Sequence, residues 1–323
     1  MRPTILFGGV NRERLVSVAS AQAVAEALPD ADLWFQAPDG QVFRAGREAL
    51  FAHARPFELD FTADGPGLGS IADAFDLAAR EGRVIVHAQH GGPAENGELA
   101  SLAEARGLAF TGSGAAASRL AFDKAATKAA VASHGVTAPP TVHLADAAHA
   151  LASHGGLVAK PVAEGSSYGL MFLRDPAHLA DLAAAAAREA YLVEPLIPGA
   201  EATCGVLELP DGTLTALPPI EIVPGEGAFD YAGKYLTATT QEICPARFAP
   251  EINAALQAGA LAAHRAVGAS GYSRSDFIVT PTGVVFLEIN TLPGLTRASL
   301  YPKALKTHGI AFPDFLAGQI ALA

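Results

Sequence analysis

The sequence predicts an α/β protein built as three packed lobes around a shared cleft, the first of them a parallel α/β lobe. Three observations predict it. The chain opens as strand, glycine turn and helix: apolar Pro3–Phe7, then Gly8 and Gly9, then helical periodicity over Val16–Leu28. Short β-branched runs then alternate with helical stretches as far as Arg106, the pattern of a parallel sheet. Beyond Glu201 the pattern turns strand-rich around one long helix.

Taken in order, the first lobe is expected over residues 1–111, with strands at Leu33–Gln36 and Arg83–His87 and helices at Ile71–Glu81 and Leu99–Arg106. Ligands of such sheets sit beyond the carboxyl ends of the strands. The loops after Phe7 and His87 fall there. The second lobe, expected over 112–192, carries a helix at Asp123–Ser133 and strands at Gly156–Pro161 and Leu170–Leu173 around a small-residue tip. A helix at Asp181–Glu189 and a strand at Tyr191–Glu194 follow. The third, expected over 193–323, holds strands at Ala202–Leu207, Leu214–Leu217 and Glu221–Val223 and the helix Pro250–Val267. Two further strands, Ser273–Val279 and Gly283–Ile289, precede a helix at Phe312–Leu322.

Composition excludes several classes. A chain of 323 residues that is 50% hydrophobic can bury several cores. A formal net charge of −11 argues against a nucleic acid partner, which needs a basic face. It leaves room for a nucleotide, which needs only a few local cations. The opening MRPTILFGGV is too short for a signal-peptide core, and no stretch nears the roughly 18 apolar residues of a membrane span. Cys204 and Cys244 are the only cysteines, so buried thiols and a reducing cytoplasm are expected rather than a disulfide framework.

Four constellations carry possible chemistry. Alternate residues of a strand share a face, so Arg274 pairs with Asp276, and Glu288 with Asn290. A hairpin would gather Asp276, Glu288 and Asn290, hard oxygen donors suited to Mg²⁺. A polar hairpin facing solvent fits the same spacing. Lys160 ends an apolar strand, where a cation must find a partner. The following Gly165-Ser166-Ser167 could close over phosphates or simply turn a hairpin. Asp123 suits a helix start, whereas Lys124 beside it opposes the helix dipole and hints at an anion. Glu194 and Glu201 could hold adenosine, or be surface charge.

Together and in order, these residues resemble the D-alanine–D-alanine ligase family of ATP-grasp enzymes. The resemblance runs from about Thr4 to Leu316. It rests on Phe7-Gly8-Gly9…Glu13-Arg14…Val16-Ser17, His90-Gly91…Glu95-Asn96-Gly97, Gly112-Ser113-Gly114…Asp123-Lys124 and Lys160-Pro161…Glu164-Gly165-Ser166-Ser167. The most specific stretches are Asp230-Tyr231…Lys234-Tyr235 and Glu288-Ile289-Asn290-Thr291…Pro293-Gly294…Ser299-Leu300. The resemblance implies a three-lobed ATP-grasp architecture. It puts ATP between the second and third lobes, with Lys124, Lys160 and Lys234 at its phosphates and Ser166 and Ser167 over them. Glu194, Ile197 and Glu201 would hold the adenosine end. Asp276, Glu288 and Asn290 would hold Mg²⁺, two ions by family habit, with Mn²⁺ as a substitute. Glu13, Val16 and His90 would surround the first D-alanine, with Glu13, Ser166 and Tyr235 linked across the lobes. Arg274 and Gly294 would face the reacting carbonyl, and Ser299 and Leu300 the second carboxylate. A homodimer through the first lobe is implied as well.

Some positions depart from the family. Leu15 stands where a second acid is usual, Glu98-Leu99-Ala100-Ser101 replaces a stretch with Gln and Gly, and Ala228-Phe229 lacks a tyrosine. Trp34–Glu81 aligns with nothing. These changes fall on the amino-acid side, so a ligase for another amino acid pair is a second reading. Tyr235 favours the dipeptide over the ester made by some relatives. A third reading, a nucleotide-binding protein without turnover, would not need Lys160, Arg274, Asp276, Glu288 and Asn290 together.

Overall fold

The computed structural model describes residues 1–162, 168–225 and 240–323. Strand β1 (Arg2–Gly8) leads through the glycine turn into helix α1 (Arg14–Ala27), and β2 (Asp32–Gln36) returns parallel to β1. Strand β3 (Gln41–Arg44), α2 (Arg47–Ala52) and β4 (Gly67–Ser70) form an edge the sequence did not foretell. Helix α3 (Ile71–Arg80), β5 (Arg83–His87), α4 (Gly92–Glu95), α5 (Glu98–Glu104) and β6 (Ala109–Phe110) complete the sheet, in the order β4-β3-β2-β1-β5-β6. Its four strands β2, β1, β5 and β6 run parallel, as the alternation predicts. All five residues of β5 are buried, as in a strand covered on both faces. The start of α3 is fixed by a capping box in which Ser70 and Asp73 satisfy each other's backbone N–H.

Helices α6 (Ala115–Phe122) and α7 (Lys124–Ala132) come next, then α8 (Ala147–His154), β7 (Leu157–Pro161), β8 (Met171–Leu173), α9 (His178–Ala186) and β9 (Tyr191–Pro195). The three strands form an antiparallel sheet, β8-β7-β9, over a small core of its own that includes Leu151, Leu157, Leu173, Leu182 and Val193. The boundary expected at 192 cuts through β9, which pairs with β7 as far as Pro195. Packing divides the expected 112–192 segment too: Ala121 of α6 and Val131 of α7 are buried with Leu256, Phe277 and Phe286 of the C-terminal part.

The remaining chain forms β10 (Ala200–Glu208), β11 (Leu214–Ala216), β12 (Ile220–Val223), β13 (Gln241–Ile243), α10 (Pro250–Val267), β14 (Tyr272–Thr280), β15 (Gly283–Asn290), α11 (Leu300–His308) and α12 (Phe312–Leu322). The antiparallel sheet runs β13-β12-β10-β14-β15, with β11 beside β10. Pro250 starts α10 where no N–H is needed, and Gly268 ends it in the left-handed region. One core joins this part to the first sheet: Ile5, Phe7 and Val86 share it with Leu217, Tyr272, Tyr301 and Phe315. Cys204 is buried and Cys244 half-buried, both as free thiols. Among the described residues no helix is long and apolar enough to cross a membrane.

Candidate active site

Two cavities meet at the centre of the molecule. The smaller, about 200 Å³, lies between the carboxyl ends of β1 and β5, the facing ends of β14 and β15, and the start of α11. The larger, about 530 Å³, lies between the three-stranded sheet and the C-terminal sheet. Lys124, Ile222, Asp276 and Glu288 line both.

In the smaller cavity, Glu13 stands immediately before α1. Asn11 fixes it: its Oδ1 accepts the Glu13 N–H at 2.8 Å, and its Nδ2 donates to the His90 carbonyl at 2.9 Å. The loop after β5 passes so close that a Cβ on Gly91 would come 2.6 Å from Glu13 Oε1, and φ there is +65°. Only glycine fits. The Gly91 N–H donates to Glu95 Oε1 at 3.0 Å. Burial, with the Glu13 carboxylate nearby, pushes the Glu95 carboxyl up to about 8. His90 Nδ1 lies 3.1 Å from the Leu292 carbonyl, which can only accept, so Nδ1 carries the proton and Nε2 accepts from the Ser20 hydroxyl at 2.7 Å. Burial lowers its pKa to about 4, which makes His90 a neutral strut between the first sheet and the loop after β15.

The far wall comes from the β14–β15 hairpin. Arg274 sits opposite Asn290 and Asp276 opposite Glu288 in register. The Arg274 guanidinium grips Asp276 with two bonds of 2.9 Å, and the Thr203 hydroxyl donates to Asp276 at 2.6 Å. Glu288 lies 3.8 Å from Lys124 Nζ. Asn290 Oδ1 accepts the Leu292 N–H at 2.7 Å, with a lone pair left over. Among the described residues no three His, Cys, Asp or Glu side chains form a metal cage. Two carboxylates and an amide oxygen nonetheless suit Mg²⁺, which completes its shell with phosphate oxygens and water. The Ser299 side chain at the head of α11 accepts the Thr296 N–H at 3.1 Å. Helix N-termini favour anions, and this one opens on the smaller cavity.

The larger cavity has apolar walls from Phe172, Ile222, Phe277 and Leu287 and is also lined by charged side chains, among them Lys124, Lys160, Glu194 and Glu201. Glu194 there is only 2% exposed, which rules out surface charge. It accepts from Lys128 at 2.5 Å and pairs with Lys160 at 2.9 Å, so the lone cation expected at the end of β7 has its counter-charge.

The family model described as "D-ala D-ala ligase C-terminus" matches residues 146–321. A D-alanine–D-alanine ligase of Nitratidesulfovibrio vulgaris is 37% identical over 100% of this chain and 98% of its own length. The enzyme of Oleidesulfovibrio alaskensis is 38% identical over 99% and 95%. The chain belongs to the D-alanine–D-alanine ligase family. Solved structures agree on its ATP-grasp fold. A D-Ala:D-Ser ligase from Enterococcus faecalis superposes with a TM-score of 0.79 at 27% identity, covering 99% of this chain and 98% of the other. A D-alanine–D-alanine ligase from Coxiella burnetii gives 0.80 at 22% over 100% and 93%, a likeness of fold.

Of the residues that the family resemblance singles out, the smaller cavity gathers Glu13, Val16, His90, Arg274 and Asn290, with Gly294, Ser299 and Leu300 at the head of α11. The larger gathers Lys160, Glu194, Ile197 and Glu201. Ser166, Ser167, Lys234 and Tyr235 lie outside the described residues, so of the Glu13–Ser166–Tyr235 link only Glu13 is described. Sequence reasoning passed over Asn11, Thr203 and Lys128, and quoted Glu95 within a motif without giving it a role. Lys128 had a signal: it follows Lys124 by one helical turn, on the same face of α7.

Proposed function

We propose that this chain joins two D-alanines into D-alanyl-D-alanine at the expense of ATP, through an acyl phosphate, as a step in peptidoglycan precursor synthesis in the cytoplasm. The observation that carries the reading is the junction of the two cavities at Lys124, Asp276 and Glu288. A nucleotide in the larger cavity would present its γ-phosphate there to a carboxylate held in the smaller one.

Glu13 would receive the ammonium of the first D-alanine, and the carboxylate of that molecule would attack the γ-phosphate. Lys124 and Lys160 would hold the phosphates, with Lys234 from outside the described segments. Ile197, Glu194 and Glu201 would border the adenosine. Asp276, Glu288 and Asn290 would hold Mg²⁺, one ion or two, with Mn²⁺ fitting the same oxygens. When bound, the ion neutralises phosphate charge during transfer. The head of α11, with Ser299 and Leu300, would fix the second carboxylate, so that the free amine attacks the acyl phosphate. Arg274 and the Gly294 backbone would stabilise the oxyanion that forms. Ser166 and Tyr235 would complete the link to Glu13. We place the first D-alanine with the 1–111 lobe, ATP between the three-stranded sheet and the C-terminal sheet, and a homodimer interface on the first lobe.

A second reading, a different second amino acid, has one observation behind it. Glu242, ion-paired with Lys303, lines the smaller cavity together with Ser299 and Leu300. This polar wall could accept a side chain larger or more polar than a methyl. The deciding experiment measures phosphate release with ATP, Mg²⁺ and D-alanine alone, and weighs the product. D-alanyl-D-alanine in step with phosphate is expected. No turnover with D-alanine, but a mixed dipeptide when D-serine is added, would replace the reading by the second. Full activity in Glu288→Ala would overturn the metal assignment.

A further inference from the structure

Arg12 immediately precedes Glu13, and Tyr168 follows directly on the Gly165-Ser166-Ser167 sequence. The Arg12 guanidinium carbon lies 5.5 Å from the centroid of the Tyr168 ring, within the range of a cation–π contact. The two residues belong to different lobes: Arg12 to the turn between β1 and α1, Tyr168 to the approach to β8. Tyr168 lines the larger cavity, and Glu13 lines the smaller. The contact therefore ties the wall of one cavity to the wall of the other. The backbone on each side is fixed. Asn11 pins the turn through the Glu13 N–H and the His90 carbonyl, and the Tyr191 hydroxyl donates to the Gly169 carbonyl at 3.0 Å. A guanidinium suits this place because it stacks on a ring while remaining hydrated at an exposed position.

We propose that Arg12 and Tyr168 form a clasp that holds the three-stranded sheet against the first lobe and so sets the spacing between the nucleotide and the first amino acid. Both are positioning residues. The inference deepens the ligase reading and rests on it for the reacting groups. A loosened clasp admits water to an acyl phosphate, which then releases phosphate without forming a dipeptide. It also weakens nucleotide binding at a distance, because Arg12 does not itself line the nucleotide cavity.

The test is a double-substitution cycle with Arg12→Ala, Tyr168→Leu and both together, and with Tyr168→Phe as the ring-preserving control. Far-UV circular dichroism and melting temperature first establish that each variant is folded. Two quantities are then read: the ratio of phosphate to peptide product, and the Kd of a non-hydrolysable ATP analogue with Mg²⁺. Each single substitution is expected to raise both by about two- to five-fold, the range of an exposed cation–π contact. The double variant should be no worse than the worse single one, and Tyr168→Phe, which keeps the ring, should stay closer to the wild type than Tyr168→Leu. Wild-type values in Arg12→Ala, or effects that multiply in the double variant, overturn the clasp. The nucleotide Kd needs no amino acid, so a wrong substrate assignment and a wrong clasp give different results.

Discussion

At the scale of single residues, the balance of charge around Glu194 bears on the stability of the larger cavity's wall. Its carboxylate, 2% exposed, meets both Lys128 and Lys160. Removing one side of a buried pair leaves the other charge uncompensated, at a cost of about 3 kcal/mol. Glu194→Gln is thus expected to lower the unfolding free energy by that order, read as a lower urea midpoint at unchanged m. An unchanged midpoint would count against the pairing. Much of this level was hidden in the sequence. Lys160 was legible because a cation at the end of an apolar strand must be paired, and its partner could be guessed only as a nearby acid. Asn11 and Thr203 act by orienting Glu13 and Asp276, and nothing in their spacing separates them from ordinary turn and strand residues.

At the scale of elements, the helix Pro250–Val267 and the β14–β15 hairpin were readable almost to the residue. Long periodic helices and alternating strands carry their own signal. The edge strand β4, Gly67-Leu68-Gly69-Ser70, has almost no side chain to read, and β3 supplies its pairing. Helix α11 hid behind Pro302, which is tolerated because the first turn of a helix has no N–H to lose. The turn before α11 is tightly built: a Cβ on Gly294 would come 2.8 Å from Ser299 Oγ. Gly294→Ala is expected to push that hydroxyl off Thr296 and raise KM for the second D-alanine about ten-fold, the effect of roughly one hydrogen bond. The Kd for ATP should stay within two-fold, since Gly294 does not border the larger cavity. Equal losses in both constants would mean that the turn supports the whole site instead.

At the scale of the molecule, four buried groups shape the response to pH. Burial lowers His87, His90 and His264 from 6.5 to about 4. Between those values the unfolded chain binds more protons than the folded one, so their contribution is full above 6.5 and lost as pH falls. Glu95 is raised from 4.5 to about 8, so its contribution is full below 4.5 and lost as pH rises towards 8. Melting temperature should therefore peak near pH 6.5 and decline to pH 8, and Glu95→Gln should flatten the alkaline decline. A wild-type curve that climbs from pH 7 to 8.5 would contradict this balance.

The shared core has a kinetic side. The first sheet and the C-terminal sheet are cemented by one set of buried side chains, while the three-stranded sheet stands on a handful of its own. Mechanically the enzyme is an anvil and a light hammer. If ligand release requires the three-stranded sheet to move off the larger body, that step would drag through solvent. Turnover limited by that release should slow in proportion as sucrose thickens the medium, and a kcat indifferent to viscosity would return control to the chemistry.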